Sequence, residues 1–456
     1  MPLRVALLFP ETIAVTVMPP LGIGYLASVS EAAGFPTELF DLSRRALRPT
    51  DVSDRLRADA YDVIGVSVST PNFRRAGSLL ALIREASPRS AIVIGGPHPS
   101  AFVEGSLAEL RPDFLIQKEA EHSFREFLRR LERGEDPVGR VDGVYAWRDG
   151  VAVGRPPEGF IDDLDALPWP AWEKLQPHLY PPMPHQLFVR RFPVAPILTT
   201  RGCPMECSFC ASGYLFGRKI RTRRADLVVE EIRFLKERFG IREIHFEDDN
   251  LTLDRAHAAA LLERIAGARL GLLFKCPNGL MTMTLDDELL GLMARAGCYQ
   301  ISLGIETTAP EALGREAKYL PYDDVRAVVA SAHRHGIDVQ GLFVIGLPYE
   351  TPANVRRTVR DAIRMGIDLA HFGVFIALPG SQQGERLATC DLADANFFTP
   401  HLDSVHAGAR EMKALQRWAI LRFYLRPRAL WKLLTLFKIR QTRWVLNTIG
   451  KYLLGF

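Results

Sequence analysis

Short apolar runs alternate with helix-length amphipathic segments twice along this chain of 456 residues, and that alternation limits the fold more than any other feature. Strands separated by helices pair in parallel, because a parallel neighbour is reached only through a crossover long enough to return to the same end of the sheet. The first series has strand candidates at 4–9, 37–40, 63–68, 91–94 and 114–117, with helical stretches at 21–33, 75–86 and about 124–131. It predicts a doubly wound, Rossmann-like α/β domain over 1–138, with any ligand beyond the carboxyl ends of the strands. The second series has strand candidates at 196–200, 241–247, 272–276, 299–305, 338–346 and 371–377, with helical patterns between them. Six βα units predict a partial (β/α)6 barrel over 196–385, its chemistry again at the strand ends. Between them, 139–195 is rich in Pro and Asp, with LPWPAW (167–172) and YPPMPH (180–185), and reads as a linker packed on its neighbours. Residues 386–456 read as a helical C-terminal extension.

Composition supports two buried cores. Hydrophobic residues make up 47% and charged residues 24%, a globular mix rather than a disordered one. The N-terminus lacks the pattern of a secretory signal, and the uncharged run 12–30 is broken by Pro19, Pro20, Gly22 and Gly24, which argues against a membrane span. Six cysteines are too few for a disulfide scaffold, and none precedes Cys203. The expected setting is a reducing one, the cytoplasm. The net charge of +4 is uneven: residues 410–456 carry eleven Lys or Arg against Glu411 alone.

Three cysteines fall on one loop. TTRGCPMECSFCASG places Cys203, Cys207 and Cys210 in a C-x3-C-x2-C spacing just after the first barrel strand. Three thiolates so placed suit three irons of a [4Fe–4S] cluster and leave the fourth iron open. A zinc site would call for a fourth Cys or His ligand, and no second pair completes one here. Cys276, Cys298 and Cys390 are isolated and read as small apolar core residues, with Cys276 at a strand end near the presumed site.

This spacing, with Phe209 before the last cysteine, resembles the radical S-adenosylmethionine (SAM) enzymes. In that family the open iron binds SAM, and reductive cleavage yields a 5′-deoxyadenosyl radical. The resemblance continues over about 196–380. IHFEDDN supplies Glu247, Asp248 and Asp249 where the family holds the methionyl ammonium, with a helix N-cap as the alternative role for Asp249 or Asn250. ISLGIET offers Ser302 and Glu306 for the ribose and methionine ends of SAM. FVIGLPYET, with Gly346, Leu347 and Pro348, is similar to the segment along the adenine, and Pro379 and Gly380 close the sixth strand.

The first domain resembles the cobalamin-binding domain of the same enzyme group, through MPPLGIGYLA (18–27), GVSVST (65–70), VIGGPHPS (93–100) and QKEAEHSF (117–124). The resemblance implies cobalamin contacts from Pro20, Leu21, Ser67, Ser69, Thr70, Gly95, Gly96, His98, Glu119 and Glu121. The D-x-H-x-x-G motif of histidine-ligated cobalamin proteins is absent, so His98 is expected at most at the edge of the ligand or as a polar cap. Lys118 and Ala120 stand where relatives tend to have glycine. Radical SAM methylthiotransferases carry three further cysteines in their N-terminal domain, and this chain has none there.

The implied function is a cobalamin-dependent radical SAM methyltransferase acting on an unactivated carbon of a small, hydrophobic metabolite. A cyclase or rearrangement enzyme with the same cofactors is the alternative. A non-catalytic cobalamin sensor is the third reading, and the intact cysteine triad stands against it. The implied partners are a small-molecule substrate and an electron donor of flavodoxin or ferredoxin type. The tail mixes Trp, Leu and Phe with spaced Lys and Arg, which suits packing on the barrel or peripheral contact with an anionic membrane rather than nucleic-acid binding.

Overall fold

Five aliphatic runs in the first quarter of the chain become parallel strands in the computed structural model, which describes residues 1–11, 17–44, 47–181, 188–315, 321–386 and 408–436. They are β1 (Val5–Phe9), β2 (Thr37–Asp41), β3 (Val63–Ser67), β4 (Ala91–Gly95) and β5 (Phe114–Ile116). Their order is β2-β1-β3-β4-β5. Alternate residues face opposite cores: Ala6, Leu8, Ile64 and Val66 meet Leu79, Leu80 and Ile83 of helix Phe73–Ala86. Val5, Leu7, Val63 and Val93 meet Ile23 and Ala27 of helix Leu21–Ala32 and Phe124, Phe127 and Leu128 of helix Glu121–Glu132. Strand order reverses between β1 and β3, where such sheets open a crevice at their carboxyl ends.

The boundary expected at 138 is corrected. β6 (Val144–Arg148) and β7 (Val151–Gly154) add two antiparallel strands to the edge of this sheet. Asp149 and Gly150 join them with φ of 48° and 83°. Two consecutive left-handed residues give a tight turn whose twist matches that of a hairpin. Val144 and Ala146 enter one core, while Tyr145 and Trp147 pack on the other. The first unit therefore runs to Gly154. Beyond it the connecting stretch places Trp172 and Leu175 in the core of the barrel.

The second sheet is fully parallel, in the order β15-β14-β13-β12-β11-β8. Its strands are β8 (Val194–Ile197), β11 (Glu243–Phe246), β12 (Leu273–Leu280), β13 (Cys298–Glu306), β14 (Asp338–Ile345) and β15 (Leu369–Val374), with a short hairpin of β9 (Thr200–Arg201) and β10 (Arg221–Thr222) beside the first. Near-continuous burial along β13 marks a strand covered on both faces. Helix starts follow their caps: Asp254 accepts from His257 N, Asp286 from Leu289 N, and Thr351 from Asn354 N.

The amino end of the barrel is plugged by polar side chains. Glu243 accepts from the backbone N–H of Arg190 and Arg191 at 3.0 and 2.7 Å, and from the Tyr299 hydroxyl at 2.6 Å. Lys275 donates to the Phe188 carbonyl at 2.8 Å, and burial brings its pKa down to about 8. The opposite, carboxyl end is left for chemistry.

Helix Ala409–Tyr424 packs on the barrel. Phe423 meets Phe372 with centroids 5.9 Å apart, and the Tyr424 hydroxyl donates to the Ala370 carbonyl at 2.8 Å. On the next helix, Pro427–Leu436, Lys432 pairs with Asp338. Leu425, Leu430 and Trp431 remain exposed. No helix among the described residues is long and apolar enough to cross a membrane. Cys390 and the tail beyond 436 lie outside the described residues.

Candidate active site

The loop of Cys203, Cys207 and Cys210 is held at both ends and from above. Gly202 adopts φ +94°, and a Cβ there would overlap the Lys219 carbonyl, so the turn into Cys203 requires glycine. Cys203 N donates to the Gly217 carbonyl and Cys210 N to the Cys207 carbonyl, each at 3.1 Å. Gln383, from helix Gln382–Arg386 after β15, donates through its backbone N and its amide to the Ser208 carbonyl and hydroxyl, at 3.1 and 3.2 Å. Phe209 packs against Leu347, Phe375 and Ala377 at the ends of β14 and β15. The thiols lie near enough that Cys207 and Cys203 act electrostatically on Cys210. Among the described residues no three His, Cys, Asp or Glu groups converge tightly enough to hold a single metal ion.

The acidic run after β11 divides its work. Asp248 is buried, and its Oδ1 accepts from Thr199 N at 2.9 Å, Thr199 Oγ1 at 2.8 Å, Thr200 Oγ1 at 2.7 Å and Thr200 N. One carboxylate oxygen thus fixes the backbone that enters the cysteine loop. Burial still dominates, and the Asp248 pKa is pushed up to about 6. Asp249 accepts from Ser212 Oγ, just past Cys210. Glu247 stays at the strand end, where Asn278 on β12 donates to the Glu247 and Asp248 carbonyls at 3.0 and 3.1 Å. Thr199, Thr200, Ser212, Asn278 and Gln383 were not legible in the sequence, because each acts on a partner far along the chain.

Glu306 ends β13 with φ +61°, a conformation costly for a residue with a side chain and characteristic of functional strand ends. Ser302 lies deeper and is fully buried, its hydroxyl 3.5 Å from Gln340 Oε1. Gly346 has φ +85° and donates to Glu350 Oε2 at 2.9 Å, which shapes the turn carrying Leu347.

At the β1/β3 crevice of the first sheet lies a cavity of about 350 Å3 that also reaches the barrel. Pro20, Leu21, Ser67, Gly95, Gly96, Glu119 and Glu121 line it from the first domain, and Leu198, Arg201, Leu215 and Phe216 from the barrel side. Gly96, at φ +104°, would bring a Cβ within 2.6 Å of the Val68 carbonyl. A Cβ on Gly22 would meet nothing within 4 Å, which leaves the first turn of that helix open to a ligand. Ser69, Thr70 and His98 do not line the cavity. His98 is buried between Phe73 and Phe102, its Nδ1 lies 3.0 Å from Thr70 Oγ1, and burial lowers its pKa to about 4. It is a neutral packing residue rather than an arm at the cavity.

Comparison with known proteins agrees with this division. Residues 13–128 match the model of the B12 binding domain, and residues 197–362 that of the Radical SAM superfamily. The chain thus joins a B12-binding domain to a radical SAM domain, the pairing found in the cobalamin-dependent radical SAM enzymes. It is 27% identical over 443 residues to an uncharacterized methyltransferase of Pyrococcus horikoshii, covering 94% of both chains. It is 27% identical over 394 residues to the anaerobic magnesium-protoporphyrin IX monomethyl ester cyclase of Rubrivivax gelatinosus, covering 84% of this chain and 69% of that one. Its fold matches the radical SAM methyltransferase TsrM of Kitasatospora setae, solved with cobalamin and a [4Fe–4S] cluster, at a TM-score of 0.73 and 20% identity over 97% of this chain and 90% of that one.

The cofactors of a cobalamin-dependent radical SAM enzyme are a [4Fe–4S] cluster, SAM and cobalamin, and the donor sets fit them. Three thiols on one loop match a cluster with an open iron. The cavity, lined mainly by apolar side chains with the buried, paired Glu119, Glu121 and Arg201 among them, has the size and lining of a ligand site.

Proposed function

We propose that this enzyme is a cobalamin-dependent radical SAM methyltransferase that transfers a methyl group to an unactivated carbon of a small molecule. The observation that carries the reading is the shared cavity, walled on one side by the cobalamin domain and on the other by β9 and helix Ser212–Phe216, which flank the cysteine loop. A carrier held there would face the site where SAM is cleaved. The near full-length similarity to a methyltransferase supports the same choice.

Within this reading Cys203, Cys207 and Cys210 hold the cluster, and Phe209 with Leu347 forms an apolar wall for SAM. Glu247 and Glu306 offer carboxylates to its charged and polyhydroxyl ends, Gly346 sets the turn beneath its adenine, and Asp248 supports the site from behind. Pro20, Leu21, Ser67, Gly95 and Gly96 bound the cobalamin. When bound, the three cofactors together supply a transferable methyl group and a carbon-centred radical; the chain binds, orients and shields them. An electron donor of flavodoxin or ferredoxin type completes the cycle. The acceptor in this proposal is hydrophobic, and exposed Leu425, Leu430 and Trp431 among basic residues suit contact with an anionic bilayer. Liposome flotation tests that last point: loss of binding in Trp431→Glu supports it, and no binding by the wild type refutes it.

Ring closure is the second reading, favoured by the similarity to the Rubrivivax cyclase. Reconstituted enzyme incubated anaerobically with SAM and cell extract separates the two. S-adenosylhomocysteine together with 5′-deoxyadenosine supports methylation, whereas 5′-deoxyadenosine alone supports cyclisation or rearrangement.

A further inference from the structure

We infer that Arg201 is a positioning residue that couples the cobalamin cavity to the cluster loop. The inference deepens the cofactor reading above and rests on it. Arg201 stands two residues before Cys203, on β9, and is itself a wall of the cavity. Its guanidinium is only 7% exposed and divides between two carboxylates of the first domain, Glu121 at 2.6 Å and Glu119 at 3.3 Å. It also lies over the Tyr25 ring of helix Leu21–Ala32, 5.1 Å from its centroid, and Tyr25 lines the same cavity.

A second arginine closes the frame. Arg221 pairs with Arg201 across the β9–β10 hairpin and binds Glu119 at 2.7 Å. The same guanidinium donates to the Ile161 and Phe216 carbonyls, each at 2.6 Å. The buried carboxylates of Glu119 and Glu121 therefore grip both strands of the hairpin that leads into and out of the cysteine loop. From the barrel side, Asp248 holds the preceding residues Thr199 and Thr200. The loop is thus hung between two carboxylate clamps, one belonging to each domain.

Ion pairs this deeply buried are weak evidence for stability, since desolvation offsets much of their attraction, but they fix geometry and register. A ligand that orders the 118–121 turn and helix Leu21–Ala32 acts directly on the partners of Arg201. The loop has only Gly202 between Arg201 and the first thiol. Occupancy of the cavity and the state of the cluster are then linked equilibria, and the linkage is reciprocal.

The test measures that linkage rather than activity. Hydroxocobalamin is titrated by absorbance into the full chain with its cluster reconstituted, and into the same chain stripped of iron by chelation. The wild type should bind cobalamin at least about fivefold more tightly with the cluster present, the lower end of ordinary coupling. Arg201→Lys keeps the charge but loses the fork that spans two carboxylates, so its ratio should fall toward one. A residue that merely stabilised the fold would weaken both titrations alike and leave the ratio at its wild-type value. That outcome, or a wild-type ratio of one, overturns the inference. Should Arg201→Lys fail to load iron, Glu121→Gln carries the same test from the opposite side of the pair. Wild type that takes up no iron or no cobalamin at all refutes the cofactor reading instead, which iron analysis and the corrin absorption reveal separately.

Discussion

Asp248 holds the backbone that enters the cysteine loop through Thr199 and Thr200. Its replacement by alanine removes the acceptor for two backbone N–H groups and two hydroxyls of Thr199 and Thr200. Hydroxyls can turn to new partners, whereas each buried N–H left unsatisfied costs about 1–3 kcal/mol, so the loss is about 2–6 kcal/mol. Spread over a unit the size of the barrel this lowers the melting temperature by roughly 5–20 °C. Iron bound after reconstitution should fall with it, because the clamped residues lead directly into Cys203. Asp248→Asn keeps an acceptor oxygen without the charge, and should load iron while changing the response to pH. The wild-type carboxyl has its pKa raised from 3.8 to about 6 by burial. A raised native pKa means that the folded state binds the proton more tightly. Its contribution of about 3 kcal/mol is therefore fully present below pH 4 and is lost as pH rises through 6. Chemical denaturation at pH 5.5 and pH 8 should show roughly 1 kcal/mol of this gain at the lower pH in the wild type relative to Asp248→Asn. An Asp248→Ala protein that melts and loads iron as the wild type does would refute the clamp.

Further outcomes follow from single contacts. Gly202→Ala forces a side chain against the Lys219 carbonyl at positive φ, and should cut iron loading by more than half while the first domain still binds cobalamin. Arg221→Met leaves Glu119 with one fewer buried partner and should cost about 3–5 kcal/mol in denaturant unfolding. Phe209→Ala removes the apolar wall shared with Leu347, and should reduce SAM cleavage at least about tenfold with cluster content unchanged, measured as 5′-deoxyadenosine formed per cluster. His98→Ala should leave the electron paramagnetic resonance spectrum of bound cob(II)alamin unaltered, since the imidazole is bonded to Thr70 away from the cavity; a changed axial signal would contradict that placement.

The two sheets were legible because strand and helix periods repeat cleanly, and the candidate cluster site because its three thiols fall on one loop, where spacing alone points to the chemistry. The β6–β7 hairpin carried a recognisable Asp149-Gly150 turn, but the Pro-rich stretch after it obscured the alternation of Val144 to Trp147. The framework around the thiols was not readable, for a physical reason. Arg201 meets Glu121 across 80 positions, Gln383 meets Ser208 across 175, and Asp248 meets Thr199 across 49, and such pairs leave no local pattern. His98 shows the converse: a polar residue beside a glycine pair looks like a ligand arm until Thr70, 28 positions away, is seen to take its ring nitrogen.

The most direct test of the account is to supply reconstituted enzyme with SAM carrying a labelled methyl group, a low-potential reductant and cell extract, and to follow both nucleoside products and the label. The wild type should form S-adenosylhomocysteine and 5′-deoxyadenosine and pass the label to a carbon of a small molecule, and Cys207→Ala should form no 5′-deoxyadenosine. A wild type fully loaded with cluster and cobalamin that cleaves SAM yet leaves every labelled methyl on methionine would contradict it.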